Sequence, residues 1–244
     1  MIRTIFTALL IFCFSISHGQ SFEGSLTYKV EFDIKAQKFG NFEITEEQVI
    51  QKMKSDGEYF DQVIVTIKEG NYEKTDNSDV QKRIVYKADV NKVYTFQKDF
   101  EYVVITDASK TNLMKLDLPE PSFEKIDTTK VIYGHTCSML KLAWKKTGTE
   151  IYYYDKEFLK IDPSLFKNHN YEYLNEVIKL TNSYPMEIVK SLSDFITIRM
   201  TLVNVSEEEI DDSHFNLPEM TEAEKDYAEM MRKMTGAEVK KIKN

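Results

Sequence analysis

Residues 26–34 read LTYKVEFDI, and apolar and polar side chains alternate along this stretch without exception. Leu26, Tyr28, Val30 and Phe32 fall on one side of an extended chain, and the polar and charged residues between them fall on the other. Alternation with a period of two is typical of a β-strand that is buried on one face. The stretch therefore predicts such a strand.

Similar strand patterns recur at short intervals along most of the chain. Turns rich in Asn, Asp and Ser separate several of them, as in antiparallel hairpins. Few helical patterns interrupt the series, so the sequence predicts a mainly β fold: a curved antiparallel sheet in the form of a half-open barrel, with a few short helices. The further strand patterns lie at 58–70, 81–88, 92–98, 101–107, 124–133, 136–144, 149–154 and 194–205.

One short helix is predicted near the start of the chain. Thr45 is followed three residues later by Gln48, which is the spacing of a capping box, and the apolar residues after it have helical spacing. We therefore expect a helix over 46–54. Residues 163–192 are ambiguous, because their pattern fits either a helix followed by a strand or two strands.

A second helix is predicted near the end of the chain, over 222–235. Thr221 and Glu224 have capping-box spacing, a methionine-rich stripe follows, and Gly236 is expected to end the helix. The basic stretch 240–243 is expected to be a solvated tail.

The first twenty residues, MIRTIFTALLIFCFSISHGQ, have the charged start, apolar run and small residues of a secretory signal peptide. We predict a signal peptide at 1–19, cleaved before Gln20, and a protein exported to the periplasm or beyond. Bulky Phe12 before Cys13 argues against a lipid anchor. The expected organisation of the mature chain is a β domain at 20–219, followed by a C-terminal helix and basic tail at 220–244.

The charge balance excludes some classes of partner. The chain carries 32 basic and 40 acidic residues, a net charge of −8, and has no basic block. Nucleic acids and anionic lipid surfaces are therefore not expected as partners. No segment after the signal peptide has the ~18 apolar residues of a transmembrane helix.

The chemistry-bearing residues are few. On a strand, His135 and Cys137 point to the same side, so they could form an activated thiolate pair or bind zinc together with His169 or His214. We favour the alternative that Cys137 is a buried packing residue, because a lone cysteine packs like a small apolar group. No catalytic residue, metal ligand or cofactor is expected.

Three consecutive tyrosines, at 152–154, place aromatic rings on both faces of a strand. Such a strand is either buried on both sides or forms an aromatic wall of a cavity. The candidate cavity-lining residues are Tyr28, Val30, Phe32, Tyr152 and Tyr154.

The segment IYGHTCSMLKL, at 132–142, resembles the I-x-G-Y-x-C strand of a family of secreted bacterial domains of unknown function. Their fold is related to that of the LolA-type lipoprotein carriers. The runs IDPSLF, SYPMEIV and DDSHFNLPE are also similar to that family, and the resemblance covers about residues 22–219. It implies structural roles for Gly134, Cys137, Phe215 and Pro218.

The chain departs from the family pattern at two positions. His135 stands where tyrosine is usual, and Ser183 stands where glycine is usual. The first departure argues against a catalytic His–Cys pair shared across the family. The resemblance implies a fold and a compartment and no reaction.

The expected function is that of an exported, non-enzymatic cell-envelope protein that binds a lipid, another hydrophobic ligand or a lipoprotein. Two alternatives stay open. One is a structural interaction module with a solid core, and the other is a thiol- or zinc-dependent hydrolase that uses Cys137 and His135. The sequence leaves the ligand and the oligomeric state open.

Overall fold

The computed structural model describes residues 21–40, 42–111, 120–144, 148–191 and 194–243. The predicted signal peptide, its cleavage site and Cys13 lie outside the described residues. Within the described ranges, no helix has both the length and the apolar character needed to cross a membrane.

Strands dominate the molecule: 47% of the described residues are in strands and 19% are helical. Thirteen of the strands in this part of the chain form one sheet, and β2 and β3 form a separate hairpin. In chain order the strands are β1 (Gly24–Ile34), β2 (Gln37–Phe39), β3 (Phe42–Ile44), β4 (Gln62–Lys68), β5 (Asn71–Asp76), β6 (Arg83–Lys87), β7 (Lys92–Phe96), β8 (Tyr102–Asp107), β9 (Ser122–Ile132), β10 (His135–Trp144), β11 (Gly148–Tyr154), β12 (Glu187–Ser191), β13 (Ile196–Ser206), β14 (Met220–Glu222) and β15 (Glu238–Ile242).

The large sheet is antiparallel throughout. Its strand order is β14-β15-β8-β7-β6-β5-β4-β1-β13-β12-β11-β10-β9, and each neighbouring pair in that order is antiparallel. The predicted fold class is confirmed. Among the described residues the sheet does not close on itself, so β14 and β9 are its edges.

Strand β1 lies in the middle of this sheet, and one of its faces is buried, as its alternating pattern predicts. It pairs with β4 on one side and with β13 on the other. Leu26, Tyr28 and Val30 are buried in the main core, whereas Phe32 is only partly buried. Strand β13 places apolar residues opposite all three buried positions, and β4 does so opposite Leu26 and Tyr28, so the three strands form a continuous apolar inner face.

The sheet is strongly curved. Strands β5 and β11 are five strand spacings apart, which is roughly 24 Å in a flat sheet. Nevertheless Tyr72 of β5 and Tyr152 of β11 line the same cleft. Curvature about the inner face is what brings these distant strands together.

The described residues contain three α-helices, which are α1 (Glu46–Ser55), α2 (Leu174–Thr181) and α3 (Lys225–Thr235). The prediction for α1 is confirmed, including its capping box: the Thr45 side chain accepts a hydrogen bond from the Gln48 backbone, and the Gln48 side chain accepts one from the Thr45 backbone. Helix α1 buries none of its residues.

The ambiguous segment 163–192 is a helix followed by a strand. It begins with a 3-10 turn at Pro163–Phe166, continues through a second 3-10 turn at Tyr171–Tyr173 into α2, and ends in β12. Phe166, Val177 and Ile178 are fully buried. These turns and α2 therefore cover part of the inner face of the sheet.

The C-terminal prediction is partly wrong. Helix α3 begins at Lys225 without a side-chain cap, because Thr221 lies in β14 and not at the start of the helix. Gly236 ends the helix in a left-handed conformation (φ 73°), as expected.

The basic stretch 240–243 is not a solvated tail, because residues up to Ile242 form β15, between β8 and β14 in the large sheet. Ala237 and Val239 are buried, and Lys241 pairs with carboxylates of neighbouring segments. The sheet thus continues past the boundary expected at 219/220.

Candidate ligand-binding cleft

A cleft opens on the inner face of the curved sheet, beside α2 and the Tyr171–Tyr173 turn. We call it the inner-face cleft. Its cavity volume is about 80 Å³, and it is open to solvent at its mouth.

Three neighbouring strands form the floor of the cleft. Tyr152 of β11 lies opposite Ile188 of β12, which lies opposite Met200 of β13. Residues that are directly opposite in an antiparallel sheet point to the same face. This row therefore provides a continuous apolar floor. Leu174 and Val177 of α2 add apolar side chains to the lining of the same cleft.

Of the five residues predicted to line a cavity, Tyr152 alone lines this cleft among the described residues. Tyr28 lies buried beside the cleft and donates a hydrogen bond from its hydroxyl to the carbonyl oxygen of Pro185 at 2.6 Å. Tyr154 packs in the same core cluster as Tyr152, with Leu140, but does not line the cleft. Both tyrosines of β11 thus face the same side of the sheet, and only Tyr152 reaches the cleft.

The other two predicted residues lie further along β1. Val30 is buried in the main core, and Phe32 packs edge-on against Phe60, with ring centroids 5.5 Å apart. Alternation along two strands does not reveal their register, which places only Tyr152 of these five residues at the cleft.

The wall of the cleft is rich in tyrosine. Burial raises the pKa of Tyr72 and of Tyr184, and it raises the pKa of Tyr171 to about 12. All three hydroxyls therefore stay protonated near neutral pH. They give the cleft neutral hydrogen-bonding groups on aromatic walls, which suits an apolar ligand with a few polar atoms.

His169 is the buried imidazole of the wall, with only 1% of its surface exposed. Its Nε2 lies 3.1 Å from the Tyr72 hydroxyl, and its ring packs edge-on against Tyr86 at 4.3 Å between centroids. Burial lowers the pKa of His169 to about 4, although carbonyl oxygens of His169 and Tyr171 oppose this fall. The ring is therefore neutral at pH 7.

Charged side chains gather at one end of the cleft. Lys190 of β12 lies 3.1 Å from Glu172 and 3.6 Å from Glu150. The positive charge of Lys190 lowers the pKa of Glu172 to about 2. Burial lowers the pKa of Lys190, but the attraction of these carboxylates outweighs it, so this pKa lies well above its usual value. The pair stays ionised across the physiological range.

The backbone that presents Glu172 is unusual. Glu172 and Tyr173 both have left-handed conformations, with φ of 52° and 56°. Such conformations are uncommon for residues other than glycine, and they cluster at binding sites. Backbone hydrogen bonds hold the turn, from Glu172 to the carbonyl of Thr111 at 3.0 Å and from Tyr173 to that of Asn170 at 2.8 Å.

The Cys137 thiol is fully buried and has no access to the cleft. Its Sγ lies 3.4 Å from Sδ of Met186 and 3.6 Å from the carbonyl oxygen of His135. Burial raises the pKa of the thiol to about 11. These surroundings are those of a packing residue and favour the protonated thiol.

The His135 side chain is engaged elsewhere. Its ring stacks on Phe158 at 3.7 Å between centroids, and its Nδ1 lies 3.1 Å from a carboxylate oxygen of Asp155. The contact between His135 and Cys137 therefore runs through the backbone carbonyl and not through the imidazole. This geometry does not provide the base that an activated thiolate needs.

We expect Cys137 to resist a thiol reagent in the native state and to react after denaturation, because burial both hinders access and disfavours the thiolate. Cys137→Ala should lower the free energy of unfolding by about 1 kcal/mol through lost contacts. Cys137→Ser should lower it further by about 1–3 kcal/mol, because its hydroxyl would lack a good partner. Mass spectrometry of labelled protein and urea unfolding test these values; rapid labelling of native protein would contradict them.

The remaining motif residues have structural surroundings. Gly134 (φ 80°) follows Tyr133 (φ 50°) in the two-residue turn between β9 and β10, which is the pattern of a type I′ hairpin. Phe215 is buried in a second core cluster that includes Ile210, whereas Pro218 is half-buried. None of these residues lines the inner-face cleft.

Within the described ranges, no group of three or more His, Cys, Asp and Glu side chains is arranged to hold a metal ion. No protein-family model and no curated protein matches the chain.

Proposed function

We propose that this chain is an exported, non-enzymatic binding protein of the cell envelope and that it holds a hydrophobic ligand in the inner-face cleft. The observation that carries the proposal is the cleft itself, with an apolar floor of Tyr152, Ile188 and Met200 and neutral tyrosines along its wall. Concave sites of this composition are typical of ligand pockets. The relationship to LolA-type carriers and the export of the chain belong to the same proposal.

The small volume of the cleft favours a small ligand or a single acyl chain over a lipid with several chains. A structural module with a solid core is the second candidate, because the rest of the inner face is closely covered by buried side chains such as Phe166 and Ile178. The two candidates differ in whether the cleft takes up a ligand.

The proposal is tested by native mass spectrometry and lipid extraction of the full chain, purified from cells in which it is exported. We expect an apolar compound at close to one per chain, and we expect the neutral dye Nile red to bind the stripped protein. Leu174→Asp places a charge at the cleft and should abolish both.

Leu180→Asp is the matched control for this variant. It makes the same change on the same helix, at a partly buried position that does not line the cleft. It should retain the compound and the dye. A wild-type protein that yields no compound and binds no dye would reject the proposal in favour of the solid structural module.

A further inference from the structure

Lys74 is the one charged side chain of the cleft lining that makes no ion pair within the described residues. It lies on β5, opposite Val65 on one side and Ile84 on the other. No described residue forms a hydrogen bond or salt bridge with its Nζ, although the charges of Glu172, Lys190, Lys82 and Asp76 act on it from further away. Lysine is rarely placed on an apolar sheet face without a partner.

Lys190 differs from Lys74 because it is already paired. It holds Glu172 at 3.1 Å and Glu150 at 3.6 Å. The cleft lining therefore contains two lysines against one carboxylate, since Glu150 lies outside it. One positive charge is in excess at the end where the apolar floor of Ile188 and Met200 begins.

We propose that the inner-face cleft binds an amphipathic anion, with a single apolar chain along the floor and a carboxylate or phosphate group at Lys74. This inference rests on the proposed function and names the class of ligand. Burial lowers the pKa of Lys74, and an anion at its Nζ would offset the cost of burying the charge. The ion pair between Lys190 and Glu172 is a contact of the same kind, between a lysine and an anionic group in this cleft.

The tyrosines of the wall complement this arrangement. The hydroxyl of Tyr184 is protonated and lines the same cleft as Lys74, so it can donate a hydrogen bond to an anion, whereas the Tyr72 hydroxyl is already paired with Nε2 of His169. The cleft thus combines a cation, neutral donors and an apolar floor. A cationic head group would face Lys74 and Lys190 instead, and it should be rejected.

The test compares ligands that share a chain and differ in the head group. Displacement of Nile red at pH 7 is measured with dodecanoate, monododecyl phosphate, 1-dodecanol and dodecyltrimethylammonium. We expect one or both anions to bind wild-type protein about tenfold or more tighter than the alcohol, since a charge-assisted hydrogen bond has that strength. The cationic amphiphile should bind weakest.

Variants of the charged residues test which side chain causes the preference for anionic head groups. Lys74→Gln should reduce the affinity for the anions to about that of the alcohol, whereas Lys74→Arg should keep the preference. Glu172→Gln removes the competing carboxylate and should raise the affinity for the anions. Lys179→Gln, which changes an exposed lysine of α2, is the control for net charge and should change nothing.

The outcomes separate this inference from the proposed function. If all four compounds bind equally, or if Lys74→Gln keeps the preference for anions, the cleft is a hydrophobic site without head-group selectivity and this inference is rejected. If no compound displaces the dye, and the dye itself does not bind, the proposed function fails and the inference fails with it.

Discussion

Phe166→Ala should lower the free energy of unfolding by about 3–5 kcal/mol, which is the usual cost of truncating a fully buried phenylalanine. Phe166 has no exposed surface and belongs to the main core. Its ring packs against Tyr86, with centroids 6.2 Å apart, and lies 6.3 Å from that of His169. The variant therefore leaves a void directly behind the wall of the cleft.

The size of the effect follows from how the turn is held. Asp162 accepts a hydrogen bond from the Ser164 backbone at 2.9 Å, and Pro163 fixes the first position of the turn. These local contacts keep the backbone in place, so the cavity cannot easily collapse. For a chain of this length the loss corresponds to a fall in melting temperature of roughly 6–20 °C.

Phe100→Ala is the control for Phe166→Ala. Phe100 lies in the loop between β7 and β8 with 38% of its surface exposed. Its truncation should cost about 1 kcal/mol or less. Urea unfolding of the two variants measures the difference, and equal losses would show that the Pro163–Phe166 turn does not contribute to the core as described.

Acid should destabilise the protein through His169 before its carboxylates begin to titrate. The pKa of His169 falls from its ordinary 6.5 to about 4 in the folded protein, because the imidazole is buried. Above pH 6.5 the ring is neutral in both states. Between pH 6.5 and 4, His169 is protonated in the unfolded chain but stays neutral in the folded protein. This difference favours unfolding by about 3 kcal/mol over the whole interval.

The pH range in which His169 affects stability can be separated from the range in which Glu172 does. The pKa of Glu172 is lowered from 4.5 to about 2, so its contribution to stability is present above pH 4.5 and is lost only as the pH falls below that value. Measurements at pH 7 and pH 4.5 therefore report mainly on histidine. Urea unfolding should show that the wild-type protein loses about 2–3 kcal/mol more than His169→Gln between these two values.

The His169→Gln variant is compared with the wild-type protein and with a second histidine variant. Glutamine can keep a hydrogen bond with Tyr72, so His169→Gln should still fold, with a lower stability at pH 7. His214→Gln changes an exposed histidine on the other side of β5 and should keep the steep pH dependence. If His169→Gln shows the same loss as the wild-type protein, the imidazole is not the group that responds to acid.

Local sequence patterns predicted the elements whose contacts lie close along the chain. The alternation in 26–34, the capping box of Thr45 and Gln48, and the turn glycine at Gly134 each report on neighbouring residues only. Burial of Cys137 was also predicted, because a lone cysteine in an alternating strand is usually a core residue. In each case the structural feature depends on a few neighbouring residues, and the sequence pattern is made by the same residues.

Among the strands that the sequence pattern did not predict, β5 and β15 were missed for the same reason. Strand β5 reads NYEKTD, and its inward positions include Lys74, which interrupts the apolar alternation. Strand β15 reads EVKKI, with a single buried residue, Val239, and two lysines. The strand conformation of both comes from hydrogen bonds to neighbouring strands, and in β15 carboxylates also pair with the lysines. Neither kind of contact is visible in a short window of sequence.

The sequence by itself determined that this is a mainly antiparallel β protein, because period-two alternation depends on which side chains one face must bury. Only the tertiary structure decided where a ligand could be held. The cleft joins residues as distant along the chain as Lys74 and Met200, and it exists because a curved sheet brings β5 close to β11, β12 and β13. Strand order, register and curvature arise from long-range pairing, so local alternation cannot specify them.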